Sequence, residues 1–261
     1  MVQEGYLFKF KNMPQNLYRY RKDDPYHIEN LFNNKDWFSY PCDFNDPFDT
    51  CLTLSKNQYY NDLLRLKDSK KDPSLAGVSN RELKTLVQDT YPDAVTSLNK
   101  KFRSETFQIC CYSEQLFSIP MWTHYSGNHS GYCVAYSDFN AIESHDLFPV
   151  IYSSSSVNAR SQFFNKDKSK NDFGALLAIL HKYKDWSYER EWRLIKRIDN
   201  KPALPANPRT VKTPTAIYMG VNSSSKLESN LKLLSKEKDL PLFKMEADYY
   251  KIGLKPTQIS G

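Results

Sequence analysis

Trp186-Ser187-Tyr188-Glu189-Arg190-Glu191-Trp192-Arg193 is the stretch whose reading decides the fold. As a strand, it puts Glu189, Glu191 and Arg193 on one face and Tyr188, Arg190, Trp192 and Leu194 on the other. The two glutamates would then stand roughly 6.5–7 Å apart. Two unit charges at that spacing repel by roughly 2–2.5 kcal/mol at an effective dielectric of 20. A strand carries this if Arg193, a cation or a polar ligand offsets it. As a helix, the same residues would give only an i,i+4 surface pair, Glu189 with Arg193, worth a few tenths of a kcal/mol. Two tryptophans, a tyrosine and Leu194-Ile195 favour the half-buried pleated surface.

Outward from this stretch, Phe173–Tyr183 is amphipathic and reads as the helix that feeds it. Downstream, a proline-rich connection over Pro202–Pro208 leads to a strand over Thr215–Met219. A helix follows over Ser224–Lys238, with Leu227, Leu231 and Leu234 on one stripe, and then a strand over Leu242–Met245. That succession is a β-α-β unit.

The first half begins with strands over Tyr6–Phe10 and Leu17–Arg21, the second carrying Leu17, Arg19 and Arg21 on one face and Tyr18 and Tyr20 on the other. Asp24-Pro25 supplies a cap and a first-turn proline for a helix over Tyr26–Phe32. Trp37–Ser39 reads as a short strand, and Asn45-Asp46-Pro47-Phe48-Asp49 as a stiff loop. That loop either plugs the core with Phe48 or presents Asn45 and Asp46 to a ligand. Helical spacing over 59–66, 80–89 and 93–103, with Asn80 as a cap and Pro92 as a break, predicts a helical insertion at about 56–104.

Thr106–Ser113 is an apolar strand containing Cys110-Cys111. Trp122, His124, Tyr125 and His129 cluster before a strand over Tyr132–Ser137. The two histidines miss the i,i+4 spacing of a helical metal pair, so a polar pocket wall is favoured over a metal site, and no metal is expected. Phe148–Tyr152 reads as a strand, and the Ser/Lys-rich 153–171 as a flexible loop. The fold expected is a single α+β domain over residues 1–261: a strongly twisted mixed β-sheet with flanking helices and the helical insertion.

Composition narrows the function classes. A net charge of +6 is scattered, which suits a phosphorylated small ligand better than a nucleic-acid stripe, although nucleic acid stays a second class of partner. There are only eight glycines, and neither GxGxxG nor GxxxxGK[ST] occurs, which disfavours the common phosphate cradles. No apolar run reaches the ~18 residues of a membrane span, and no signal-peptide core opens the chain, so the cytoplasm is the expected address. Five cysteines without CxxC spacing read as reduced thiols. Oligomeric state is left open.

With these pieces placed, the chain resembles the bacterial family catalogued as domain of unknown function 2971. The resemblance runs from Leu17 to about Lys255. It rests on Leu17–Arg21, Phe44–Asp49, Met121–Tyr125 with His129-Ser130-Gly131, Lys182 through Arg193, and Ile217–Gly220. Cys110-Cys111-Tyr112-Ser113 departs mildly from the Cys-Phe-Ser expected there. The family brings no settled activity with it.

The chain is also similar to the ADP-ribosyltransferase fold. Enzymes of that fold carry an Arg or His on an early strand, a Ser or Tyr on a middle one and a catalytic Glu near a late one, sometimes in a Glu-x-Glu pair. Arg19, Ser113 or Tyr125, and Glu189-Arg190-Glu191 fall in that order. This resemblance implies an NAD-using transferase or glycohydrolase with a role in bacterial conflict or defence. Glu191 would stabilise the oxocarbenium charge and Glu189 would act on the acceptor. Arg19 and Asn45 would hold phosphates or ribose, and Trp122 or Tyr125 would stack on nicotinamide. His124 completes the candidate catalytic set, and Tyr18, Asp46 and Arg193 the candidate binding set for a small nucleotide-like ligand. Two alternatives stand beside it. One is a metal-dependent phosphodiesterase or nuclease using Asp46, Asp49, Glu189, Glu191 and His124. The other is a non-enzymatic binding module whose Glu189, Arg193, Lys182, Asp46 and Arg19 form a structural polar network.

Overall fold

The structure is a computed structural model that describes residues 13–105, 107–139, 146–159, 168–198 and 207–260. The strand expected over Tyr6–Phe10 lies outside the described residues. In chain order the elements begin with β1 (Asn16–Arg21), α1 (Pro25–Phe32), β2 (Lys35–Phe38), β3 (Leu52–Thr53), α2 (Lys56–Asp68), α3 (Asn80–Glu105) and β4 (Phe107–Ser113). Then come α4 (Ile119–Tyr125), β5 (Tyr132–Ser137), β6 (Leu147–Pro149), β7 (Ile151–Ser153), β8 (Val157–Asn158) and α5 (Lys168–Leu180). The chain finishes with β9 (His181–Tyr183), β10 (Glu191–Arg197), β11 (Asn207–Thr210), β12 (Ala216–Met219), α6 (Ser225–Lys238), β13 (Leu242–Asp248) and β14 (Gly253–Ser260).

Eight strands form one mixed sheet in the order β14-β13-β12-β5-β1-β4-β10-β6. Its pairs are antiparallel except β12 with β13, which α6 connects as the expected β-α-β unit. The fold is α+β, as expected. Strand alternation sends two sets of side chains to two cores. On one face, Leu17, Val134, Trp192, Ile217 and Leu242 pack with Ile28 and Leu31 of α1 and with Leu227, Leu231 and Leu234 of α6. The three α6 leucines are fully buried, each stabilising the fold by about 2 kcal/mol. On the other face, Ile109 and Ile195 pack with Phe102 of α3 and Ile179 of α5, while Tyr20 and Cys133 pack with Met121 and Trp122 of α4.

One irregularity of this sheet positions the site. β1 pairs with β5 over its whole length, Asn16 opposite Ser137 through Arg21 opposite Tyr132. With β4 it shares only the Tyr18–Ser113 pair. Beyond that pair the two strands part, and Ser39 bridges Ile109 on the edge of β4 that β1 leaves. A seam therefore opens in the middle of the sheet.

Several expectations need correcting. The strand over 186–194 starts only at Glu191. Lys184–Glu189 is a 3₁₀ turn, and Arg190 is left-handed at φ 42°, ψ 56°. Strand periodicity holds for Glu191 and Arg193 against Trp192 and Leu194, but not across Arg190. Pro92 does not break the insertion into separate helices; it lies inside the single helix α3. A mid-helix proline forfeits one backbone bond, and tertiary contacts on both sides offset it. Tyr91 Oη donates to Leu54 O at 2.5 Å, Thr90 Oγ1 meets Tyr59 Oη at 3.2 Å, and Asn99 Nδ2 donates to Leu52 O at 3.0 Å. The cap of α3 is Ser79 rather than Asn80: Glu82 N donates to Ser79 Oγ at 3.2 Å and Ser79 N to Glu82 Oε2 at 2.7 Å, a capping box.

The strand over 148–152 is interrupted at Val150 into β6 and β7, which join different partners. The helix expected to reach Tyr183 stops at Leu180, where His181–Tyr183 turns extended to pair with β7. Of the loop over 153–171, residues 160–167 lie outside the described set. Its earlier part contributes β8, paired in parallel with β3, and Lys168 already belongs to α5.

Candidate functional site

The seam opens into a cavity of about 430 Å³. Its walls include Tyr18, Arg19, Arg21 and Lys22 of β1 and the residue after it, and Phe44 and Asn45 of the loop before β3. Opposite stand Ser113 of β4, His124 and Tyr125 of α4, and Lys182, Glu189 and Glu191. Segments far apart in the chain thus meet around one hollow, and most of the expected site residues are among them.

At its floor lies a cluster of five charged side chains. Lys182 Nζ donates to Glu189 Oε2 at 2.5 Å and to Glu191 Oε2 at 2.8 Å, with Asp49 Oδ2 at 3.5 Å. Arg193 Nε donates to Glu191 Oε1 at 2.7 Å, and its Nη2 reaches both Asp49 oxygens at 2.8 and 2.7 Å. Its Nη1 donates to Ile179 O at 2.5 Å. All five residues are buried. The left-handed Arg190 makes this possible: it turns the backbone so that Glu189, from the 3₁₀ turn, and Glu191, from β10, approach the same ammonium.

Three carboxylates face two cations, so one negative charge is left over. Burial pushes the Glu189 carboxyl up to about 7, against the pull of Lys182 and with help from neighbouring Glu191. Burial also acts on Glu191, but Arg193 and Lys182 outweigh it and hold Glu191 well below the usual carboxylate range. Asp49 is pushed up by burial, offset by its two-oxygen contact with Arg193. Lys182 is raised, its three carboxylates overcoming desolvation. Glu189 therefore carries the surplus charge and exchanges its proton near neutrality. Tyr125 Oη donates to Glu189 Oε1 at 2.6 Å, and Asn45 Nδ2 lies 3.5 Å from that same hydroxyl.

Arg19 lies on the sheet face opposite Glu191 and reaches across the seam. It donates to Cys111 O and, at 3.3 Å, to Trp37 O, so it clasps both lips, and its Nε contacts Asp36 Oδ2 at 3.2 Å. Arg21 pairs with the other Asp36 oxygen. Lys22 is exposed at the mouth. The cavity is thus bipolar, with basic groups along β1 and a net negative cluster at the junction of the 3₁₀ turn with β10. From Tyr18 to Lys22 the strand spans roughly 13 Å.

Three expected site residues are placed away from the cavity. Trp122 is fully buried and its indole N–H donates to Leu116 O at 2.7 Å, so it packs the core against Tyr20 and cannot stack on a ligand. Asp46 is buried in its turn and accepts from Phe48 N at 2.8 Å. Arg193 has no exposed surface and acts only through Glu191 and Asp49. Of the loop's two readings, the core plug fails, because Phe48 is 74% exposed, and of the two residues to be presented only Asn45 lines the cavity. His124 is exposed at the cavity wall, where its imidazole stands edge-on to the Tyr125 ring at 6.3 Å. Among the described residues no group of three or more His, Cys, Asp or Glu is arranged to hold a metal ion.

Lys182 and Asp49, which centre the cluster, entered the sequence reading as ends of motifs in the family resemblance and through its alternatives, the structural network and the metal site, but not among the candidate site residues. Lys182 sits seven residues before Glu189, across the end of β9 and a 3₁₀ turn, so no single periodicity links the two. Tyr152, whose hydroxyl accepts from Glu191 N at 2.8 Å, gave no signal at all. All five cysteines are free thiols, Cys111 lining the cavity beside Glu191. No described helix is long and apolar enough to cross a membrane.

A family model described as Protein of unknown function (DUF2971) matches residues 121–194. That span runs from α4 into β10 and includes Tyr125, Lys182, Glu189, Glu191 and Arg193, while Asp49 and the arginines of β1 lie outside it. No curated protein and no solved structure matches the chain, so the likeness to ADP-ribosyltransferases gains no support from a relative. What the chain is similar to, over these 121–194, is that family of unknown function.

Proposed function

We propose that the chain is an enzyme that breaks the N-glycosidic bond of an NAD-type dinucleotide, passing the ribosyl group to water or to a nucleophilic acceptor. The observation that carries this is the unequal carboxylate pair: Glu191 fixed as an anion and Glu189 exchanging a proton near pH 7, both on the wall of one bipolar cavity. A ligand with a cationic ring and an anionic pyrophosphate complements that polarity. The ring end meets the surplus negative charge, and the phosphates meet Lys22 and the arginine wall of β1. Tyr18, Tyr125 and Phe44 supply aromatic surface between them.

In the reaction the glycosidic bonding pair leaves with the pyridine ring, which departs neutral. The ribosyl cation is shielded by the fixed negative charge of Glu191. The incoming oxygen forms the new bond, and its proton passes to the ionised carboxylate of Glu189. Glu189 must therefore be deprotonated, so the rate rises with pH through about 7. Incubation with NAD, with and without acceptor proteins, should release nicotinamide. Glu189→Gln should abolish release while leaving the protein folded.

A second reading is favoured by one observation. Glu191 and Arg193 are so fully engaged that the cluster also serves as a structural knot joining α5, β9, β10 and the loop that carries Asp49. In a binding module built this way, Glu189→Gln would change neither fold nor any turnover, because there would be none.

A further inference from the structure

Behind the arginine wall, on the α1 side of the sheet, lies a second and much smaller void. It measures about 10 Å³ and is lined by Arg19, Arg21, His27, Asn30, Lys35, Asp36 and Tyr132, with Leu31, Val134 and Tyr136 closing the rest. Room of that size admits one water-sized occupant, and no phosphate or carboxylate. Two polar groups lining it are left without partners: Asn30 Nδ2 from α1 and Tyr132 Oη from β5 have no hydrogen bond among the described residues. Asn30 is 8% exposed and Tyr132 0%, so bulk water does not satisfy them. A buried donor left unmade is costly, which makes two in one void a sign of an occupant.

The surroundings specify its chemistry. Arg19 and Arg21 face a single buried carboxylate, Asp36, while Lys35 is exposed at the rim. That carboxylate already accepts from Trp37 N at 2.7 Å, from Arg19 Nε at 3.2 Å and from Arg21. Two largely buried guanidiniums against one carboxylate leave a positive surplus that a neutral water does not offset and a monatomic anion does.

We infer that the void between α1, β1 and β5 is a buried binding site for a monovalent halide-type anion, held by Asn30 Nδ2, Tyr132 Oη and the Arg21 guanidinium. The ion acts as counter-ion to the two arginines that also wall the larger cavity. The site stands independently of any reaction there.

The test is thermal unfolding of the full chain at constant ionic strength in sodium gluconate, chloride or bromide, with a crystal grown in bromide. Gluconate is too large for the void. Tm should rise saturably by a few degrees in chloride or bromide, and an anomalous bromide peak should lie between Asn30 and Tyr132. Asn30→Asp places a carboxylate in the void and should make Tm independent of the anion. Tyr132→Phe removes one donor and should move the chloride midpoint at least several-fold higher. Equal Tm in gluconate and chloride with no bromide peak would mean a water and would overturn the inference. So would an anion effect of unchanged size in Asn30→Asp, or an unchanged midpoint in Tyr132→Phe.

Discussion

Glu189 and Glu191 meet at one ammonium, that of Lys182, at 2.5 and 2.8 Å, although the residue between them is left-handed and they belong to different elements. Their electrostatic fates differ because, of the two, only Glu191 is touched by Arg193. Glu191 has two cationic partners and stays ionised; Glu189 has one, plus the Tyr125 hydroxyl, and carries the surplus charge.

Glu189→Gln removes that surplus while keeping an amide that can bond to Tyr125 and Lys182. The sign of its pH dependence follows from linkage. With its pKa raised to about 7 in the fold, the wild-type carboxyl holds a proton that the unfolded chain has released above about 4.5. Wild-type stability from this group is thus greatest at low pH and is lost as pH rises through 7, by on the order of 3 kcal/mol in all. The amide of the variant does not titrate. The Tm of the variant minus that of wild type should therefore grow between pH 5 and pH 8; a constant difference would place the surplus charge elsewhere. The comparison must be made as a difference, because His27, lowered to about 4, works oppositely: its contribution is lost as pH falls from 6.5 towards 4.

Removing Arg193 leaves three buried carboxylates around one lysine. Arg193→Met should destabilise by roughly 3–5 kcal/mol, and Glu191→Gln by less, since its amide still bonds to one of the two cations. Denaturant titration measures both. Full stability in Arg193→Met would show that the cluster contributes nothing to the fold.

Much of the scaffold was legible because its signals are local. Asp24 does cap α1, accepting from Tyr26 N at 2.8 Å, and the leucine stripe of α6 is buried as its spacing requires. The alternation Leu17-Tyr18-Arg19-Tyr20-Arg21 also sorts its residues as read, the arginines sharing Asp36 and the tyrosines facing α4 and β12. The site was legible in its members more than in its wiring. Arg190 bears no glycine or asparagine to announce its φ of 42°, so alternation was carried one turn too far. Lys182 and Asp49 enter the cluster through contacts spanning up to 144 residues, which periodicity cannot reveal. Trp122 was assigned a ligand because it neighbours His124 and Tyr125 in sequence, but on a helix successive residues point different ways.

Tyr125→Phe deletes the hydroxyl that donates to Glu189 Oε1 and favours its ionised form. The Glu189 pKa should therefore rise further, and the acid limb of any activity profile should move to higher pH by up to about one unit. Carbon-13 NMR of labelled glutamate carboxyls reads this without an assay. An unmoved Glu189 resonance would discount the hydrogen bond.

Gly131 and Gly220 hold the chain where β5, β12 and the end of β1 converge beside the cavity. A Cβ on Gly131 would sit 2.0 Å from Arg21 O, and one on Gly220 would sit 2.1 Å from His129 O. Both obstacles are backbone, so they cannot rotate away. Gly131→Ala and Gly220→Ala should each cost at least about 2 kcal/mol, read by urea unfolding, whereas Gly77→Ala meets no atom and suffers only from its φ of 81°.

The most direct measurement is nicotinamide release from NAD between pH 6 and pH 9 by wild-type protein and by Glu189→Gln, each first shown to be folded by its thermal melt. Release by wild type that climbs through pH 7, and none by the variant, is the predicted result. Absence of release from folded wild type with acceptors present, or equal release from both proteins, would contradict the role given to Glu189.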